Sequence, residues 1–319
     1  MALTEFELIA DYFTRQAVQR PDVVLGIGDD CALLRVAGDR ELAVTVDTLL
    51  EGVHFPVDTA PADVGHKALA VSLSDLAAMG AEPAWATLSL SLPRTDERWL
   101  EQFASGLFAL AERYEVQLVG GDTVRGPLGI TVQAQGMLPT GSALRRSGAR
   151  PGDLVFVTGT LGDAGAGLQL ALGEQQAADD LARPLLARLH RPEPRVGEAA
   201  ALRGLAHGAI DISDGLAADL GHILSASGVG ATLHLESLPF SPPLEAWAPE
   251  PEARFALALG AGDDYELCFT APPAHREAIE RLFERFACGV HCIGVIEAAP
   301  GLRLCHHGTP FPMPTGGYD

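Results

Sequence analysis

Hydrophobic and polar positions change period several times along the chain, and each change predicts an element. Thr4-Glu5-Phe6-Glu7 forms a capping box, and Phe6, Ile9, Tyr12 and Phe13 then share one apolar face, which predicts an opening helix. Leu25 to Asp30 is a glycine-rich turn that ends in two carboxylates. The β-branched run Leu42 to Val46 predicts a short strand ending at Asp47. Residues 62–79 predict a helix broken by Gly80, and 96–114 a second. Residues 84–92 alternate with period two, as a half-buried strand does. Val116 to Val119 predicts a strand stopped by Gly120-Gly121-Asp122, and 129–138 another.

Arg150-Pro151-Gly152-Asp153 punctuates the chain and predicts a boundary between a domain over 1–150 and one over 151–319. The second half predicts strands near 154–158, 209–212, 229–235 and 265–270. Helices are expected near 163–172, 196–206, 215–226 and 273–286. Pro239 to Pro251 reads as a proline-rich loop, and no repeat of solenoid period occurs. The fold class is α/β of the α+β type, in two domains.

Composition narrows the function. The 319 residues carry 42 acidic and 22 basic side chains, a formal charge of −20. An acidic surface without a basic stripe repels a phosphate backbone, so nucleic acid is not an expected partner. No apolar run approaches a membrane span of about 18 residues. The acidic start lacks a basic leader region, so the cytoplasm is the expected compartment. The five scattered cysteines form no C-x-x-C. Cys288, His291 and Cys292 lie close in sequence, leaving both ordinary packing and a zinc site open.

Several phosphate-handling motifs are absent. The single lysine, Lys67, stands in Gly65-His66-Lys67-Ala68, which no Walker loop permits. Its place in the middle of a predicted helix points to a structural or surface role. No protein-kinase signature and no Gly-x-Ser-x-Gly occurs. What remains is a set of aspartates beside glycines and element ends: Asp29, Asp30, Asp47, Asp75, Asp122, Asp211, Asp214, Asp263 and Asp264. Each alone can be a turn former. Gathered together they repel, since two carboxylates about 4 Å apart cost about 4 kcal/mol at an effective dielectric of 20. Mg²⁺ reverses that sign and favours carboxylates plus substrate phosphates. The glycine loop Thr158 to Gly167 offers amides to a phosphate or, equally, makes a tight turn.

These motifs, taken in order, resemble the thiamine-monophosphate kinase family, which is related to aminoimidazole ribonucleotide synthetase and selenophosphate synthetase. The resemblance runs nearly end to end. It is carried by Gly26-Ile27-Gly28-Asp29-Asp30, Thr45-Val46-Asp47-Thr48, Glu51-Gly52-Val53-His54-Phe55, the stretch Lys67 to Gly80, Val119 to Thr123, Arg146-Ser147-Gly148-Ala149, Thr158 to Asp163, Asp211 to Leu216 and Asp263 to Leu267. The Glu-Gly-Val-His-Phe stretch and the Gly-Tyr-Asp tail favour the kinase branch. An aminoimidazole ribonucleotide synthetase-like enzyme and a non-catalytic acidic metal-binding protein remain the alternatives.

The resemblance implies ATP-dependent, Mg²⁺-assisted phosphorylation of thiamine monophosphate to thiamine diphosphate. It implies direct in-line transfer with no covalent or general-base residue. It also implies a homodimer whose N-terminal sheets pair into a barrel, with the C-terminal α/β domain completing the site. Position by position, Asp30, Thr45, Val46 (through its carbonyl, where the family often has Thr), Asp47, Asp75, Asp122, Asp211 and Asp214 would hold several Mg²⁺ ions. Gly121, Asp122, Arg146 and Ser213 would contact ATP. His54, Asp263 and Tyr318 would contact the acceptor, with Asp263 one methylene shorter than the family's usual Glu.

Overall fold

The computed structural model describes residues 8–28 and 31–312. The predicted capping box therefore lies outside the described residues, and Ile9–Phe13 forms one π-helical turn. The chain divides into two compact units: Met1–Leu76 with Ala81–Gly141, and Ala77–Gly80 with Ser142–Asp319.

In the first unit, β1 (Val23–Leu25) and β2 (Leu33–Leu34) make a small ribbon. The main elements follow as β3 (Arg40–Leu50), α1 (Pro61–Ala78), β4 (Glu82–Leu92), α2 (Glu97–Arg113), β5 (Gln117–Arg125) and β6 (Gly129–Pro139). The sheet order is β3-β6-β4-β5, antiparallel except for the parallel β4–β5 pair. The period-two pattern of β4 buries Ala86, Leu88, Leu90 and Leu92 on one face. Helix α1 lies against that side, with Ser72 Oγ 3.2 Å from the Val132 carbonyl. Helix α2 crosses α1 where glycines permit it: a Cβ on Gly106 would stand 1.8 Å from the Ala62 carbonyl oxygen.

Two expectations are corrected here. Strand β3 runs on to Leu50, so Asp47 lies inside the strand and not at its end. Strand β5 runs through Gly120-Gly121-Asp122 to Arg125. The glycines do not stop it, because pairing with β4 supplies the hydrogen bonds, and a Cβ on Gly121 would sit 1.9 Å from the Leu88 carbonyl oxygen. The outward face of edge strand β3 carries Leu42, Val44, Val46 and Leu50 at 46%, 54%, 59% and 42% exposure.

The second unit comprises β7 (Leu154–Thr158), α3 (Asp163–Ala171), α4 (Asp179–His190), α5 (Val196–Leu202), β8 (Gly208–Asp211), α6 (Leu216–Ser227) and β9 (Gly230–His234). It continues with α7 (Pro242–Trp247), α8 (Pro251–Gly260), β10 (Leu267–Ala271), α9 (Arg276–Phe283), β11 (Val290–Glu297), β12 (Gly301–His306) and β13 (Thr309–Phe311). The seven strands run β13-β12-β9-β11-β7-β10-β8, with β9–β12 the parallel pair. Helices α7 and α8 occupy the stretch expected to be a loop and its sequel. Each starts with proline in its first turn, where the missing N–H costs nothing. Among the described residues no helix is long and apolar enough to cross a membrane.

Candidate active site

Alternation along β3 sends Thr45 and Asp47 to the face that α1 covers and Val46 to the other. Asp75 comes down from α1 to meet them. Thr45 Oγ1 donates to Asp75 Oδ2 in a short hydrogen bond. Ser72 Oγ, one turn earlier on α1, lies 3.1 Å from Asp47 Oδ2. Burial and the neighbouring Asp75 push the Asp47 carboxyl up to about 6, against the Ser72 hydrogen bond. Ser72 was not singled out by sequence reasoning, although it stands three residues before Asp75.

This group is an all-oxygen donor set: two carboxylates that repel each other and a hydroxyl. Such a set fits Mg²⁺. Asp30 lies outside the described residues. Among those described, no group of three or more His, Cys, Asp or Glu side chains forms a ready metal cage. Asp122 is not part of the Asp47–Asp75 group. It lies on β5, three inter-strand steps from β3 and so roughly 14 Å away along the sheet. Asp122 and Gly121 instead border a cavity of about 480 Å³, together with Gly28, Ile27, Leu88 and Val119. Two separate glycine motifs thus meet at one hollow of mixed polar and apolar lining.

His54 sits in the exposed turn after β3. Its Nδ1 accepts the Leu50 N–H at 3.0 Å, and Lys67 Nζ donates to its carbonyl at 3.2 Å. Lys67 is 2% exposed, so the surface option for it is excluded.

In the second unit, the C-terminal ends of β7 and β8 and the N-terminal end of β10 gather at one end of the sheet. Asp211 ends β8 and is buried. Ser213 and Asp214 follow in a turn whose amides both donate to Asp219 Oδ2 at 3.0 Å. Burial pushes Asp219 up to about 6, although the Asp214 and Ser213 amides pull the other way. Asp263 comes alongside: its N–H donates to the Ser213 carbonyl at 2.8 Å, and the Tyr265 N–H to Ile212 at 2.8 Å. Asp263 and Tyr265 both have left-handed backbone, φ +60° and +49°. Asp211, Ser213, Asp214 and Asp263 are therefore neighbours. Arg146 is exposed beside the start of β8, where the Ala209 N–H bonds the Arg145 carbonyl. That is a strand length of roughly 10 Å from Asp211.

Beneath this end lies an ionic cluster that sequence reasoning missed. Glu266, fully buried, accepts from Thr158 Oγ1 at 2.6 Å, Arg188 Nη2 at 2.8 Å, and Arg195 Nε and Nη2 at 2.6 and 2.5 Å. Burial opposes its ionisation, yet Arg195, Arg188 and Thr158 hold it below the usual carboxylate range. Asp264 accepts the Gly162 N–H with both oxygens, and burial raises it well above that range against the pull of Arg188. Cys288 Sγ donates to Glu198 Oε1 at 3.4 Å, and Cys292 lies on β11 with Gly294 as its acceptor. Tyr318 lies outside the described residues.

Against known proteins, residues 28–138 match the AIR synthase related protein, N-terminal domain, and residues 150–306 match its C-terminal domain. The thiamine-monophosphate kinase of Escherichia coli K12 is 50% identical over 321 residues, covering 100% of this chain and 98% of that protein. The crystal structure of thiamine-monophosphate kinase from Stenotrophomonas maltophilia K279a superposes with a TM-score of 0.89 at 46% identity, covering 98% of this chain and 99% of that one. The structure of AaThiL complexed with AMPPCP and TMP superposes with a TM-score of 0.76 at 34% identity, covering 89% and 88%.

Proposed function

The chain belongs to the thiamine-monophosphate kinase family of AIR synthase related proteins, and on that premise we propose how its residues divide the work of an ATP-dependent phosphorylation of thiamine monophosphate. The product is thiamine diphosphate. The reading rests on one observation above all: Thr45, Asp47, Ser72 and Asp75 converge at the junction of β3 and α1.

Asp47, Asp75 and the Thr45 hydroxyl, with Asp30 and the Val46 carbonyl, would hold Mg²⁺, which when bound neutralises phosphate oxygens. Asp122, Asp211 and Asp214 would hold further ions. The hollow beside Gly121 and Asp122 has a size that suits a nucleoside and a lining of both polar and apolar groups. Arg146 would contribute a fixed charge to the triphosphate and Ser213 a contact to ATP. His54, Asp263 and Tyr318 would face the acceptor.

The acceptor phosphate carries its own nucleophilic oxygen, largely dianionic near neutral pH, so the protein needs no strong base. A new bond forms from that oxygen to the γ-phosphorus, and the bond to the ADP oxygen breaks. The task left to the chain is to hold two anions in line, which is positioning and charge compensation. No phosphoenzyme forms.

The exposed apolar stripe of β3 supports a homodimer formed through the N-terminal sheets. Five free cysteines fit a reducing cytoplasm.

The test is a coupled ADP-release assay over a panel of phosphorylated acceptors, with and without Mg²⁺. Release driven by thiamine monophosphate and requiring Mg²⁺ is expected. Release driven by a formylglycinamidine substrate instead moves the chain to the synthetase branch.

A further inference from the structure

Of the 22 lysines and arginines, one is lysine, and it is almost wholly buried. A chain that meets every other basic requirement with a guanidinium keeps one ammonium, Lys67. The two groups differ in shape and hydration: an ammonium is a compact point charge, and a guanidinium is a broad planar fork. A buried ammonium also needs acceptors close by. One of them is the main-chain carbonyl of His54, 3.2 Å from Lys67 Nζ.

That carbonyl belongs to a tight turn held by several further hydrogen bonds. The His54 N–H and Val53 N–H both return to the Leu50 carbonyl, at 2.9 and 3.2 Å, and the Gly52 N–H to the Phe55 carbonyl at 2.8 Å. Gly52 supplies the left-handed residue that the turn requires, φ +76°. Phe55 is buried, while His54 itself is exposed. The imidazole is tied back by its Nδ1, which accepts the Leu50 N–H at 3.0 Å. A nitrogen that accepts carries no proton, so the neutral ring holds its proton on Nε2. The ring therefore offers solvent one directed N–H donor, which is a group that an anionic phosphate oxygen takes.

We propose that Lys67 is a positioning residue for the acceptor: its buried ammonium pins the His54 carbonyl, and the pinned turn fixes the His54 ring as an Nε2–H donor toward the acceptor phosphate. The acceptor half of this statement rests on the reading of His54 given above. The Lys67–His54 link stands on geometry alone.

The test uses the full-length protein and its Lys67→Met, Lys67→Arg and His54→Gln variants. Long-range ¹H–¹⁵N spectra of the histidine rings, with His54 assigned by its loss in His54→Gln, read the tautomer directly. The wild-type His54 signal should show the Nε2–H form, and both Lys67 variants should shift it toward averaged tautomers. KM for thiamine monophosphate should rise about tenfold in Lys67→Met, while KM for ATP moves less than about twofold. Lys67→Met combined with His54→Gln should match His54→Gln alone. If Lys67→Met fails to fold, Lys67→Arg carries the same readouts.

Unchanged His54 resonances in the Lys67 variants, or a double variant whose losses multiply, overturns the proposal. If His54→Gln leaves the acceptor KM at the wild-type value while the Lys67 variants still shift the tautomer, the acceptor reading of His54 fails and the link survives.

Discussion

Asp47 on β3 and Asp75 on α1 present their carboxyl groups to each other, and burial, reinforced by that pairing, keeps Asp47 protonated to unusually high pH. Without a cation this arrangement costs the fold free energy. Asp47→Asn should therefore melt at or above the wild-type temperature in EDTA. Millimolar Mg²⁺ should raise the wild-type melting temperature and not that of the variant. Turnover should fall at least about a hundredfold, since a ligand of the Mg²⁺ that would neutralise the phosphoryl oxygens is lost. Full activity of Asp47→Asn at saturating Mg²⁺ removes the metal role.

The cluster around Glu266 makes a second prediction. Its carboxylate is held below the ordinary value of 4.5, so its contribution is fully present above pH 4.5 and fades as pH falls through the folded-state value. In urea titrations from pH 7 to 3, the stability gap between wild type and Glu266→Gln should stay wide at neutral pH and close under acid. Arg195→Met should cost about 3–5 kcal/mol, because it removes two of the four hydrogen bonds to a buried carboxylate and leaves it only Arg188 and Thr158. A gap that does not change with pH contradicts this account of the cluster.

Val44 and Val46 lie on the exposed stripe of β3, beside the open edge of the sheet. Val44→Lys should halve the mass seen in sedimentation at micromolar protein, because a charge buried in an apolar interface is strongly unfavourable. An unchanged mass would mean that copies of the chain meet elsewhere or not at all.

Asp263 occupies left-handed backbone, which Asp tolerates better than Glu because its short side chain bonds locally. Asp263→Glu should cost about 1 kcal/mol, a fall of about 2–4 °C in melting temperature. Asp263→Asn should leave the melt unchanged and raise the KM of thiamine monophosphate.

The parts of the fold and site that could be read in advance are those with local signatures. The alternation of β4 and the helical stretch of α1 are visible in windows of a dozen residues, and Asp75 follows from the latter. Whether Asp122 joins Asp47 depends on strand order, which no window contains. Gly120-Gly121 looked like a terminator because glycine lacks a side chain to pack, whereas here that lack admits the Leu88 carbonyl. Lys67 could not be placed because α1 is apolar nearly all round, so no polar stripe marks its outer face. Asp219 sits beside the Asp211–Asp214 motif, but its capping of the Ser213 and Asp214 amides is a matter of turn geometry. Glu266 finds Thr158 at a separation of 108 residues and Arg195 at 71, distances at which periodicity is silent.

Those separations have a consequence for synthesis. A ribosome releases Thr158, Arg188 and Arg195 before Glu266 emerges, so until then both arginines lack the buried carboxylate that they share in the finished sheet. Strand β10 lies between β7 and β8, so the sheet of the second unit closes only once β10 is available. A chain truncated just short of Glu266 would lack both this carboxylate and the strand that joins β7 to β8.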